Sequence, residues 1–326
     1  MPDGLRIATG SGSPADNRVF HAAVVTSDLP IMPFLTIAHS TRYAYRHPVS
    51  FGEHRIMVRP RESHDQRLIE ARLDITPAPA NLRYIHDVFG NSVAIARFDR
   101  RARELRFDSV VRMEHSPAGD HAVAIEDYAR AFPFTYAGED MPDLLRSIER
   151  QHLDPERIVD SWARSFVKDD RRTDTAEMLA TMTETIRREF TYVPRYEQGT
   201  QSPIETLNRR QGTCRDYAVL MMEAARALGL AARFVSGYVY SPSRGEGRVG
   251  GGNTHAWVRI FLPGSGWVEY DPTNGIVGNR GLIRVAVARD PMQAVPLSGS
   301  WAGFPGSDTG MTVDIAVHLD DDTVPA

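Results

Sequence analysis

The chain has 326 residues, 42% of them hydrophobic and 25% charged, a globular balance with length for two domains or for one with a large appendage. Its net charge of −4 gives no electrostatic footprint for nucleic acid, and no apolar run approaches the roughly 20 residues that span a bilayer. The single cysteine, Cys214, excludes an internal disulfide and every multi-cysteine zinc site.

Residues 1–31 are rich in Gly, Ser, Asp and Pro, as in Gly10-Ser11-Gly12-Ser13-Pro14, and read as a flexible extension. Met32 stands just before the first patterned stretch and is an alternative start. No basic, then apolar, then small-residue pattern marks a secretory signal. With one cysteine, this predicts a reducing, cytoplasmic setting.

From 34 to 117 the period is two. Leu35, Ile37, Tyr43 and Tyr45 alternate with polar residues, as do Ile56 and Val58, then Ile69, Ala71, Leu73 and Ile75, then Val93 and Ile95, then Leu105, Phe107, Val111 and Met113. Turn signals at His47-Pro48, Arg59-Pro60, Thr76-Pro77-Ala78-Pro79 and Gly90-Asn91 separate these runs. The expectation is an antiparallel β domain, a small sandwich.

Near 125 the character changes. Asp154-Pro155-Glu156 predicts a helix start, with Ile158, Trp162 and Phe166 at helical spacing. Asp174 with Glu177 predicts a second helix, carried by Leu179, Met182 and Ile186 to Phe190. A central helix follows over 214–228, and strands are expected at 233–240, 254–262, 267–271, 282–288 and 311–319. Helices followed by antiparallel strands make this half α+β. The expected division is 1–31, 34–117, a catalytic core over 125–275, and a C-terminal β extension and tail over 276–326. Asp320-Asp321-Asp322 reads as a solvated end, since it lacks the ligand spacing of a calcium loop.

The stretch that carries chemistry begins Gly212-Thr213-Cys214-Arg215-Asp216-Tyr217. Thr213 and Asp216 resemble a capping box and Gly229 is a terminator, so Cys214 falls in the first turn of its helix. A lone cysteine is ordinarily a small buried hydrophobe. At a helix N-terminus, however, the partial positive charge favours the thiolate, and unpaired first-turn N–H groups can stabilise an oxyanion. Gly212 would let a substrate backbone approach. Asp216 reads as a cap, and Arg215 as the partner of an ion pair.

His255 lies in Asn253-Thr254-His255-Ala256-Trp257-Val258-Arg259-Ile260, whose alternation marks a strand. Pro263-Gly264-Ser265-Gly266 turns the chain, and Trp267-Val268-Glu269-Tyr270-Asp271-Pro272 returns antiparallel. An odd loop or one bulge places His255 and Asp271 on one face; an even loop places them on opposite faces. A histidine in a strand and an aspartate before proline are each commonplace. Cys, His and Asp in this order supply a nucleophile, a base and an orienting acid. The loop 241–253 before His255 is a surface loop by default and, from its position, a possible lid.

These motifs, with Thr273-Asn274 after Pro272, resemble the transglutaminase-like superfamily, and specifically its bacterial group with an extra N-terminal β region. Tyr43-Ala44-Tyr45-Arg46-His47-Pro48-Val49-Ser50, Arg59-Pro60-Arg61 and Asp87-Val88-Phe89-Gly90-Asn91 support the likeness, which covers about 34–317. The resemblance implies a papain-like core, a nucleophile helix packed on an antiparallel sheet. It implies Cys214 as nucleophile, His255 as general base and Asp271 as the orienting residue. It further suggests an aromatic or amide donor upstream of the cysteine, for which Tyr192 is the candidate. The implied activity is cysteine-dependent acyl transfer on a protein or peptide, with no cofactor or metal: hydrolysis of peptide or isopeptide bonds, or protein-glutamine gamma-glutamyltransferase cross-linking if an amine resolves the thioester. An acetyl-CoA-dependent relative would share the triad, but no nucleotide cradle is visible. A non-catalytic protein-binding scaffold is the rival of another class.

Overall fold

The computed structural model describes residues 34–116, 123–168, 172–195, 199–240 and 253–320. The extension at 1–31, nearly all of the loop 241–253, and Asp321 and Asp322 lie outside them.

The long strand Phe34–Phe51 organises the first region. It pairs antiparallel with Ala102–His115, which pairs with Gln66–Thr76. A second sheet runs through Leu297–Ser298, His54–Ile56, Ser92–Arg97 and Asn81–His86. The two sheets close over Tyr45, Val49, Phe51, Ile56, Ala94, Ala96, Leu105 and Phe107, as the period of two requires. One expectation fails locally. The pairing shifts between Leu68 and Glu70, and the extra residue of this bulge turns Ile69 outward, 44% exposed. The strand Asn81–His86 lacks the alternation that would have announced it, because all but one of its residues are exposed.

The second region is built on a five-stranded antiparallel sheet ordered Ile276–Val277, Gly266–Asp271, His255–Leu262, Ala232–Val239 and Leu282–Ala288. The helix Cys214–Ala227 packs on it through Ala218, Leu220, Met221 and Ala225, sharing one apolar cluster with Ala256, Val258, Ile260 and Leu262. The helix Thr175–Glu189 is capped as expected, with Glu177 N–H donating to Asp174 at 2.8 Å. The helix expected at 154 begins instead at Ile158, after Arg157 in a left-handed conformation. Asp154 still serves its start from outside, accepting from the N–H groups of Ile158 and Asp160 at 2.8 and 3.0 Å. Two helices went unread: Met141–Ile148, and Pro203–Arg209, whose start Ser202 caps by accepting from Glu205 N–H.

The tail expected to stand apart is divided between the two regions. Leu282–Ala288 closes the five-stranded sheet, while Asp308–Leu319 adds to Phe34–Phe51 in the first sheet. Asp320 pairs with Arg112 at 2.9 Å rather than standing free in solvent. Packing also runs across the expected boundary at 117: Leu35, Ile37, Val111 and Met113 form one cluster with Tyr238, Ile283 and Val285. Residues 33–326 are accordingly one compact unit. Among the described residues no helix is long and apolar enough to cross a membrane.

Candidate active site

Cys214, the candidate nucleophile, is positioned by a short crossing of chain. Gln211–Gly212 runs parallel to Thr191–Tyr192 with Gly212 opposite Tyr192, and Val193 N–H donates to Gly212 O at 3.0 Å. Thr213 then caps the helix: its N–H and its hydroxyl donate to Asp216 Oδ2 at 2.8 and 2.9 Å. The other Asp216 oxygen accepts from Gln201 N–H at 2.7 Å and Arg195 Nη2 at 3.2 Å. A single buried carboxylate thus ties the loop ahead of the helix to its first turn.

Gly212 makes room for this cap. A Cβ there would stand 2.9 Å from Asp216 Cβ and 3.3 Å from Tyr217 Cε1. The reading of Arg215 is also corrected: among the described residues it forms no ion pair, and its Nε is buried without a hydrogen-bond partner.

Three residues, Pro263, Gly264 and Ser265, join the two strands of the hairpin, which settles the open alternative in favour of an odd loop. The register pairs Val258 with Tyr270, so Asp271 stands on the same face as His255, two positions along. His255 Nε2 donates to Asp271 Oδ2 at 2.7 Å, and both side chains are buried. Burial alone would lower the pKa of His255. The charge and hydrogen bond of Asp271, with Cys214 adding to them, outweigh burial and raise it to about 10. Burial likewise pushes Asp271 up, but the charge and hydrogen bond of His255 and the donors of Asn274 and Thr273 hold it below its ordinary value.

His255 Nδ1 has no hydrogen bond of ordinary geometry. With Nε2 committed to Asp271, Nδ1 is the nitrogen left for Cys214, whose sulfur interacts with the ring. The triad residues read from the sequence therefore stand together. Tyr192 joins them: burial, then the charge and hydrogen bonding of Cys214, raise its phenol to about 12. It remains a hydroxyl beside the sulfur.

Two partners of the triad were missed. Asn274 Nδ2 donates to Asp271 Oδ2 at 2.7 Å and lies 3.3 Å from His255 Nε2. Its signal was the turn chemistry of Asp-Pro-Thr-Asn: Asp271 Oδ1 accepts from Thr273 N–H at 2.9 Å, which folds the chain back over the pair. Trp257 stacks on the His255 ring with centroids 5.9 Å apart. Cys214 opens onto a cleft of ≈ 710 Å³. Its walls come from three separate stretches: Tyr43, Tyr45 and His54; Tyr192, Arg195 and Arg215; and Met292 to Trp301 with Asp308 and Met311. Among the described residues no group of three or more His, Cys, Asp or Glu side chains is placed to hold a metal ion.

A cysteine at a helix start, facing a histidine and an aspartate on adjacent antiparallel strands, defines the papain-like class. Comparison with known proteins narrows the class to a family. The family model of the transglutaminase-like superfamily matches residues 160–272, and that of the bacterial transglutaminase-like N-terminal region matches 35–114. An uncharacterised protein of Mycobacterium tuberculosis is 31% identical over 277 residues, 81% of this chain and 86% of its own length. The chain belongs to the transglutaminase-like superfamily. A protein-glutamine gamma-glutamyltransferase of Pseudomonas aeruginosa is 36% identical over 74 residues, 22% of this chain and 11% of its own. Among solved structures, a candidate cysteine protease from Cytophaga hutchinsonii superposes with a TM-score of 0.65 at 18% identity, covering 90% of this chain and 93% of that one. At that identity the likeness is one of fold.

Proposed function

We propose that the protein is a cysteine-dependent acyl-transfer enzyme that hydrolyses peptide or isopeptide bonds. The observation that carries this is the buried His255–Asp271 pair at 2.7 Å beside a cysteine that opens the wall of a large cleft. In the proposed cycle the Cys214 sulfur attacks an amide carbonyl while its N–H and the Tyr192 hydroxyl face the oxyanion. His255 gives a proton to the leaving amine, and a thioester remains. Water, activated by the now neutral imidazole, releases the acid and restores the thiol. Asp271 and Asn274 keep the imidazole in register throughout.

A protein or peptide substrate fits the cleft, since Met292, Trp301 and Met311 on its walls are exposed apolar side chains. Resolution of the thioester by a lysine amine is the second reading. It is favoured by the local likeness to a protein-glutamine gamma-glutamyltransferase.

The test incubates wild type and Cys214→Ala with casein, with and without dansylcadaverine. Hydrolysis predicts new casein fragments from wild type alone. Cross-linking predicts dansyl incorporation without fragments. Neither, together with a Cys214 that reacts with iodoacetamide no faster than glutathione, returns the protein to the scaffold class.

A further inference from the structure

One cation of the cleft is unexplained by the triad. Arg215 follows the nucleophile in the first turn of its helix and lines the same cleft. Its Nε is buried with no hydrogen-bond partner, and among the described residues no carboxylate pairs with it. A buried polar nitrogen left without a partner is costly and is rare without a reason. Burial lowers the pKa of Arg215 against the pull of Cys214 and Asp216.

Among the described residues the adjacent carboxylate, Asp216, is already filled. Asp216 accepts from Thr213 N–H, Thr213 Oγ1, Gln201 N–H and Arg195 Nη2, which accounts for its ≈ four acceptor sites. Arg195, the other arginine of the cleft wall, is held there and by Gly199 O at 3.0 Å. Among the described residues Arg215 has no hydrogen-bond acceptor or ion-pair partner, and its planar fork has a geometry that fits a carboxylate with two parallel hydrogen bonds.

We infer that Arg215 is the carboxylate-binding residue of this cleft, holding an acidic group of the substrate beside the carbonyl that Cys214 attacks. The inference rests on the proposed function for the identity of the attacked group. Its chemistry covers a side-chain carboxylate and a free C-terminal carboxylate alike. Arg215 would thereby set specificity, and it takes no part in bond making.

Iodoacetate and iodoacetamide test this directly, because they alkylate the same sulfur and differ only in a carboxylate. The His255 imidazolium also draws iodoacetate, so the readout is the change in rate ratio on replacing Arg215. Arg215→Gln is expected to lower the iodoacetate-to-iodoacetamide ratio about tenfold, the worth of one lost charge-assisted interaction, with Arg215→Lys restoring part of it. A guanidinium that only steadied the thiolate would slow both reagents together, and an unchanged ratio in a variant of unaltered melting temperature overturns the inference. A Cys214 no more reactive toward iodoacetamide than glutathione would instead sink the proposed function, so the two failures are distinct. Protection from iodoacetamide by an amidated glutamate peptide, against a glutamine peptide with a free C-terminus, then identifies which carboxylate is read.

Discussion

Arg284→Met should be the most damaging single change remote from the site. Arg284 lies in the strand Leu282–Ala288 and is nearly fully buried. Its Nη1 donates to Asp65 Oδ2 and to Glu269 Oε1, each at 2.8 Å, and its Nη2 donates to Ser63 Oγ at 2.7 Å and to Asp65 Oδ1. Asp65 and Ser63 belong to the N-terminal β region, so this one side chain bolts that region to the sheet that carries His255 and Asp271. Glu269 keeps Arg259 at 3.0 Å, but Asp65 would be left buried without a cation. Breaking a buried pair from one side costs about 3–5 kcal/mol. At roughly 2–3 °C per kcal/mol for a chain of this size, melting should fall by about 6–15 °C.

The same change has a pH signature. Burial pushes Asp65 up, yet hydrogen bonds and charge from Arg284, with Ser63 and Asn279, hold its pKa below the ordinary value. A depressed carboxylate contributes stability that is present above its unfolded pKa of about 3.9 and is lost as pH falls through the folded one. Without Arg284 burial prevails and raises the Asp65 pKa, so protonating Asp65 removes the stranded charge and the loss in melting relative to wild type should shrink as pH falls. Thermal melts and acid titrations by circular dichroism measure both effects. Asp65→Asn placed on Arg284→Met should recover part of the loss by removing the stranded charge. A drop in melting below about 2 °C, or a second substitution that simply adds to the damage, would refute this account.

Three further outcomes are expected. Tyr192→Phe should lower kcat about 10²–10³-fold, the worth of one oxyanion donor, with little change in melting, as measured on any substrate found to be turned over; a kcat within twofold would remove Tyr192 from the chemistry. Asn274→Ala should cost about 10–100-fold in kcat, by analogy with other residues that hold a catalytic imidazole in place, and Asn274→Asp, which cannot donate to Asp271, should not rescue it. The pKa of His255, raised to about 10, means that its contribution to stability is complete below its unfolded value of about 6.5 and is lost as pH rises through 10. Urea midpoints from pH 7 to 10 should therefore fall in wild type and lose that slope in His255→Gln; parallel curves would contradict the ion pair.

The motifs that carry chemistry were legible because they depend on local rules. Thr213 and Asp216 mark a helix start whatever the rest of the chain does, since the unpaired N–H groups of a first turn need an acceptor within three residues. That alone put Cys214 at a helix N-terminus. Alternation in 254–262 and 267–271 fixed two strands, and the turn residues between them fixed a hairpin. Period two likewise revealed the β region, because one face of each strand there is buried. Where burial does not alternate the pattern is mute, as at the exposed strand Asn81–His86 and at the bulge beside Ile69.

Tertiary structure alone decided the rest. Whether His255 and Asp271 share a face turned on a three-residue loop, and composition does not reveal a register. The proximity of Tyr192 to Cys214 follows from the pairing of Gly212 with Tyr192, twenty residues apart in the chain. The separation of 276–326 into strands of three different sheets was invisible, because a strand's own residues specify which face is buried and say nothing of which neighbour it joins. The vacancy of Arg215 is a tertiary fact as well. Asp216, the carboxylate beside it in sequence, is filled by donors from the cap and from residues 195 and 201. Local hydrogen bonding and side-chain period act within a few residues and leave their mark in sequence; partner choice across the fold is set by packing among all elements at once.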